Sequence, residues 1–179
     1  MKFKVFKFNK VKSTNNTAIR IIKCYNYDFG MIIANVQTNG KGQYGKKWVS
    51  FKGNLFVSFF YNLQNFKISL NKLTKINCIM VKKCISKYYN KKIYFKKPND
   101  LIVQKKKLCG ILQEKVSKFN NTYLVVGIGI NLIKSPLIKN YPTTFLNNLI
   151  KKNISKKKFE LELKKTFENN LERLIKKRV

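Results

Sequence analysis

Residues 35–48 read N-V-Q-T-N-G-K-G-Q-Y-G-K-K-W, and inside them Gly40, Gly42 and Gly45 spell a literal G-x-G-x-x-G. A glycine-rich turn with Lys41, Lys46 and Lys47 can bring backbone N–H groups and positive charge close to an anion. The dinucleotide version of this motif needs a strand before the glycines, a helix opening inside them and an acid about 20 residues later. Met31–Val36 reads as the strand. The run W-V-S-F-K-G-N-L-F-V-S-F that follows reads as a bend and a strand instead of a helix, and no Asp or Glu lies between Asp28 and Asp100. Two of the three requirements fail. No G-K-[ST] is present either, so this is not a Walker loop. A flexible hairpin connection is the plain alternative.

The other chemistry-bearing groups are few. The 179 residues contain no histidine, which excludes Ser-His-Asp and Cys-His catalysis. Seven acids exist, and four of them, Glu160, Glu162, Glu168 and Glu172, fall in one C-terminal helical pattern. Asp28, Asp100 and Glu114 are left, so a paired-carboxylate glycosidase is disfavoured. Cys24, Cys78, Cys84 and Cys109 form no C-x-x-C pair and are expected to be free buried thiols rather than a zinc site.

The formal net charge is +32, with only three arginines among 39 basic residues. Lysines that release counterions from phosphate would suit a nucleic-acid binder. Their spread over every segment, and the scarcity of the arginine that reads guanine edges, fit a compositional drift better. In either case the surface favours acidic partners at low salt.

These groups need a scaffold, and the patterning supplies one. Strands are expected at 3–8, Met31–Val36, Leu55–Tyr61, Ile93–Phe95, Leu101–Gln104, Cys109–Val116 and Tyr123–Ile130. Gly53-Asn54 reads as a hairpin turn, and Lys97-Pro98-Asn99-Asp100 as a second turn. Helices are expected over Thr17–Cys24, capped by Thr14 or Asn15, over Ser69–Tyr89 with Ser69 as cap, and over Thr143–Ile150. Phe159, Leu163, Phe167, Leu171, Leu174 and Ile175 form one apolar face of a last helix, suited to packing on a sheet. The length favours one domain, α+β with a mixed sheet flanked by helices. No stretch is apolar for long enough to span a membrane, and the N-terminus lacks a secretory h-region, so a cytoplasmic protein is expected.

Four segments in order change the weight of the glycine loop. They are S-T-N-N at 13–16, Q-T-N-G-K-G-Q-Y-G-K-K-W at 37–48, K-K-P-N-D-L with K-L-C-G-I-L at 96–112, and V-V-G-I-G-I-N-L at 125–132. Their order and spacing resemble the catalytic domain of biotin protein ligases, over about residues 3–175. The resemblance implies a mixed, mostly antiparallel sheet flanked by helices, of the class II aminoacyl-tRNA synthetase-like kind. It implies a ligase that joins biotin to ATP, carried as a Mg²⁺ complex, and passes the biotinyl group to a lysine of an acidic biotin carboxyl carrier domain. No prosthetic group, specific DNA or membrane is implied; a homodimer is compatible. The chain would be a single catalytic domain over 1–179, without the N-terminal DNA-binding extension or C-terminal β-barrel of some relatives.

The same resemblance assigns roles. Lys107 matches the lysine that reaches the biotin carboxylate and the α-phosphate; by itself it reads as a solvated turn lysine. Asp100 would hold Mg²⁺ or orient a lysine, where the bland alternative is a turn aspartate. Ser13, Thr14, Asn15, Gln37, Gly40, Lys41, Gln43 and Gly110 match the biotin side. Gly42, Gly45, Trp48, Asn99, Gly129 and Asn131 match the nucleotide side, with Asn131 reading the adenine edge. The family loop is arginine-rich, G-R-G-R-x-G-R, where this chain has G-K-G-Q-Y-G-K, and Lys97 replaces the tryptophan of K-W-P-N-D. Two further readings stay open: a lipoate or octanoate transferase of the same fold, and a basic nucleic-acid-binding domain without ligase activity.

Overall fold

A computed structural model describes residues 1–176. Nine strands and four helices follow in the order β1 (Lys4–Val11), α1 (Thr14–Cys24), β2 (Phe29–Gln37), β3 (Gly40–Lys41), β4 (Lys47–Trp48), β5 (Leu55–Asn62), α2 (Leu70–Ser86), β6 (Tyr94–Lys96), β7 (Asp100–Val103), β8 (Lys106–Lys118), β9 (Asn121–Ile130), α3 (Leu146–Ile150) and α4 (Lys156–Lys176). Seven strands form one sheet in the order β1-β2-β5-β9-β8-β7-β6, while β3 and β4 form a separate hairpin. Only β1 and β2 run parallel; every other neighbouring pair is antiparallel. The expected α+β architecture and mixed, mostly antiparallel sheet are both present.

Alternation along the strands divides the core in two. Met31, Val57, Phe59, Val126 and Ile128 face α2 and α4, where Leu73, Val81, Phe159, Leu163 and Phe167 complete the larger cluster. Phe59 stacks on Phe167 with ring centroids 4.1 Å apart and an interplanar angle of 5°. On the opposite face Ile32, Phe60, Val116, Tyr123 and Val125 pack under Ala18, Ile21 and Ile22 of α1. The last helix thus turns its apolar face to the sheet, as its spacing requires.

The boundaries differ from the patterning in instructive places. Helix α1 begins at Thr14, three residues before the expected start, and its N-cap is Ser13, whose Oγ accepts from the Asn16 N–H. Thr14 and Asn15 lie in the first turn, where their side chains point across to the sheet rather than back to the helix end. Between the glycine loop and β5 only Lys47 and Trp48 pair, with Lys41 and Gly40. Gly53-Asn54 does turn, with Gly53 at φ +95°. Asn54 adds a clamp: its Oδ1 accepts from the N–H groups of Leu132, Ile133 and Lys134, and its Nδ2 donates to Lys134 O. Among the cysteines, Cys78, Cys84 and Cys109 are buried and free as expected, but Cys24 at the end of α1 is exposed.

The Phe59–Phe167 stack joins the sheet to α4. Phe167→Ala is expected to lower the unfolding free energy by about 3–5 kcal/mol, read from the midpoint shift of urea denaturation at unchanged slope.

Candidate functional site

Helix α1 covers only part of its face of the sheet. Beyond Val116, Tyr123 and Val125 the next positions on that face are Leu112 opposite Gly127, and Gly110 opposite Gly129. Small residues there leave the sheet bare, and the hairpin β3–β4 folds over the gap. The result is a cavity of about 730 Å³. Its walls are the 13–15 turn, Gln37, the glycine loop, the 96–100 turn, Lys107, and the 138–141 segment.

Two close approaches explain the glycines of the floor. Trp48 lies across the Gly110–Gly129 pair: a Cβ on Gly129 would sit 2.5 Å from the indole, and one on Gly110 2.7 Å. Asn15 occupies the space that a Cβ on Gly127 would need. Its carboxamide is fixed from three sides, with Nδ2 donating to Glu114 at 2.6 Å and Leu112 O at 3.4 Å, and Oδ1 accepting from Ser58. Thr14 is fixed as well, since its N–H and its hydroxyl both donate to Gln37 Oε1, at 2.8 and 3.0 Å. The polar wall is therefore preorganised by hydrogen bonds between α1, β2, β5 and β8.

At the other end, the Lys107 ammonium meets Asp100 Oδ1 at 2.9 Å, and both side chains are largely buried, 18% and 10% exposed. Tyr141 donates to the second oxygen, Asp100 Oδ2, at 2.6 Å. Lys107 Nζ also lies 5.2 Å from the Trp48 ring centroid. Burial, the hydrogen bond to Asp100 and its charge together push the Tyr141 phenol up, so it stays a donor at neutral pH. Burial likewise raises Cys109 well above the ordinary thiol value, with Asp100 adding to the effect and Lys107 opposing it. Burial also raises Cys78 to about 11 and Cys84 to about 12. These thiols are protonated and serve as packing, not as nucleophiles.

Seven lysines line the cavity against one acid, Asp100. That balance favours an anionic ligand and stabilisation of negative charge. No cluster of three or more His, Cys, Asp or Glu exists among the described residues. A single carboxylate among lysines would suit a Mg²⁺ ion, which characteristically takes one or two protein carboxylates.

Most of the expected site residues line this one cavity: Ser13, Thr14, Asn15, Gln37, Lys41, Gly42, Gln43, Trp48, Asn99, Asp100, Lys107, Gly110 and Gly129. Gly40 and Gly45 do not; they border a second hollow of about 570 Å³ on the other side of the loop. Asn131 borders neither. It is buried at 2% exposure, and its Nδ2 donates to Thr144 O, closing the base of the 131–145 segment. Its Oδ1 is buried without a hydrogen-bond partner among the described residues. Sequence reasoning missed Ser58, Glu114 and Tyr141. A serine in the middle of a run of apolar strand residues, L-F-V-S-F-F-Y, was a signal for Ser58. Tyr141 lies in a segment without periodicity and gave none.

The model of the Biotin/lipoate A/B protein ligase family matches residues 5–131. The chain belongs to this family. Among its curated relatives, the bifunctional ligase/repressor BirA of Escherichia coli is 36% identical over 102 residues, which are 56% of this chain and 32% of that one. BirA of Bacillus subtilis is 27% identical over 128 residues, 70% and 39% of the two chains. The chain thus spans about a third of the length of these relatives. A biotin protein ligase of Aquifex aeolicus, solved in complex with biotin and ATP, superposes with a TM-score of 0.80 at 30% identity, covering 97% of this chain and 72% of that one. The lipoate-bound LipL1 of Plasmodium falciparum shares the fold at TM-score 0.58 and 13% identity, with 92% of this chain and 63% of that one covered.

Trp48 is the only tryptophan, so it reports on the floor of the cavity. Gly129→Ala should lift the indole off the sheet. The expected result is a red-shifted tryptophan emission with an unchanged far-ultraviolet circular dichroism spectrum.

Proposed function

We propose that this chain adenylates biotin and transfers it to a lysine of a carrier protein. The observation that carries the reading is the placement of Lys107 at one end of the cavity and the hydrogen-bonded Thr14–Gln37 and Asn15–Glu114 wall at the other. A neutral polar head group suits the wall, and an anionic tail suits the ammonium. The similarity to a ligase solved with biotin and ATP supports biotin as the occupant. The lower similarity to a lipoate-bound structure gives the lipoate alternative less support.

In the first step a carboxylate oxygen of biotin attacks the α-phosphorus of ATP, and pyrophosphate leaves with its bond electrons. Two anions must approach each other, so the barrier falls as fixed positive groups surround them. Lys107 neutralises the carboxylate and the developing charge on the α-phosphate. Lys41 and Lys46, on the glycine loop, face the same space. Asp100 holds Lys107 until the substrate anion takes it over, and beside the Tyr141 hydroxyl it would be a protein ligand of substrate-borne Mg²⁺. In the second step an acceptor lysine amine attacks the acyl carbon, and AMP departs. Trp48 and the glycine loop cover the mixed anhydride and limit its hydrolysis. Neither step needs a nucleophile from the protein.

The +32 charge fits an acidic acceptor domain, drawn in by long-range attraction, and the reaction would take place in the cytoplasm. No helix among the described residues is long and apolar enough to cross a membrane.

The test is biotin-dependent exchange of radiolabelled pyrophosphate into ATP. Lys107→Ala is expected to reduce exchange by roughly 10²–10³ with the fold intact. Exchange that depends on lipoate or octanoate instead of biotin would move the substrate to the family's other branch. Undiminished exchange in the variant would remove Lys107 from the mechanism.

A further inference from the structure

Lys107 faces a difficulty in this arrangement. To meet a substrate anion it must leave Asp100, and a carboxylate left unpaired in a nearly buried site is costly. The groups facing Asp100 are Lys107 and Cys109 from β8, Lys96 from its partner strand β6, and Tyr141 from the 131–145 segment. Cys109 is a protonated thiol. Lys96 is exposed, and its ammonium is held over the Tyr141 ring, 4.4 Å from the centroid. The one donor already on the carboxylate besides Lys107 is the Tyr141 hydroxyl, at 2.6 Å.

Tyr141 is also tied to the lysine itself. The Lys107 N–H donates to Pro142 O at 2.8 Å, and the Thr144 N–H donates to Lys107 O at 2.9 Å. Both backbone groups of Lys107 are thus held by the segment that carries Tyr141. The ring places the Lys107 ammonium 5.5 Å from its centroid, within cation–π range. Lysine, carboxylate and phenol are thus brought together by a strand and the segment bonded to it.

We propose that Tyr141 is a positioning residue for the adenylation step: its hydroxyl holds Asp100 when Lys107 turns from that carboxylate to the substrate anion. This inference rests on the ligase reading for its substrate, while its physical content is a competition between two anions for one ammonium. Tyr141 solvates Asp100, weakens its grip on Lys107 and so raises the affinity of Lys107 for the incoming anion. Without the hydroxyl, Lys107 stays with Asp100.

Tyr141→Phe keeps the ring between the two lysines and removes only the hydroxyl. A hydrogen bond to a charged group is worth enough for about a tenfold effect. The expected result is a kcat for biotin-dependent pyrophosphate exchange about tenfold lower, with any rise in KM for biotin smaller than that and the thermal unfolding midpoint unchanged. A raised KM at normal kcat, or no change at all, overturns the proposal. The second arm uses inorganic pyrophosphate alone, titrated calorimetrically at physiological ionic strength, where distant surface lysines are screened. Tyr141→Phe should weaken binding several-fold, and the effect should vanish in the Asp100→Asn background, because the two side chains act through one bond. Equal affinity in wild type and Tyr141→Phe, or a loss that persists with Asp100→Asn, overturns it. If the wild-type chain shows no biotin-dependent exchange, the ligase reading fails and the pyrophosphate cycle alone decides the role of Tyr141.

Discussion

An ammonium held against one carboxylate at the edge of a half-apolar cavity is the interaction on which the site depends. Lys107 and Asp100 lie on adjacent strands, β8 and β7, with a register shift between Leu101 and Ile102 that re-aims the strand just before Lys107's partner position. Neither charge is fully solvated. A buried pair of this kind is weak evidence for stability, because desolvation offsets much of the attraction. Its use is positional. In the proposed reaction it stores a charge for the substrate anion, with the backbone of Lys107 bonded on both sides so that only the side chain has freedom.

The cavity beside that pair exists because one face of the sheet is unevenly clothed. Helix α1 meets large residues at Phe60, Tyr123 and Val125, and beyond them the sheet presents Gly127, Gly110 and Gly129. The missing side chains are replaced by groups from elsewhere, Asn15 over Gly127 and Trp48 over the other two. The same device therefore opens the site and fixes its lining. The opposite face, packed by α2 and α4, carries the larger cluster and holds the strands in register. Division of labour between the two faces lets a basic, acid-poor chain keep a bare patch without losing its core.

Much of this was legible in the residues. Runs of large apolar residues in Leu55–Tyr61 and Tyr123–Ile130 marked the central strands, since a two-sided core demands large residues on both faces. The 159–175 stripe marked α4 because a helix on a sheet buries one face. The order of the S-T-N, glycine-loop, P-N-D, K-L-C-G and G-I-G-I-N segments brought thirteen of the expected residues to one cavity. What failed was local detail decided by tertiary partners. Ser13 rather than Thr14 caps α1 because Gln37, 23 residues away, takes the Thr14 N–H. Tyr141 was invisible because its role depends on a contact 41 residues distant, within a segment that has no repeating pattern.

The most direct measurement is a crystal structure of the chain with biotin and a non-hydrolysable ATP analogue. The account predicts the bicyclic head of biotin against Thr14 and Asn15, and the Lys107 ammonium moved from Asp100 to hydrogen-bond distance of the biotin carboxylate. Biotin seated outside the cavity, or Lys107 still paired with Asp100 while the two anions meet elsewhere, would contradict it.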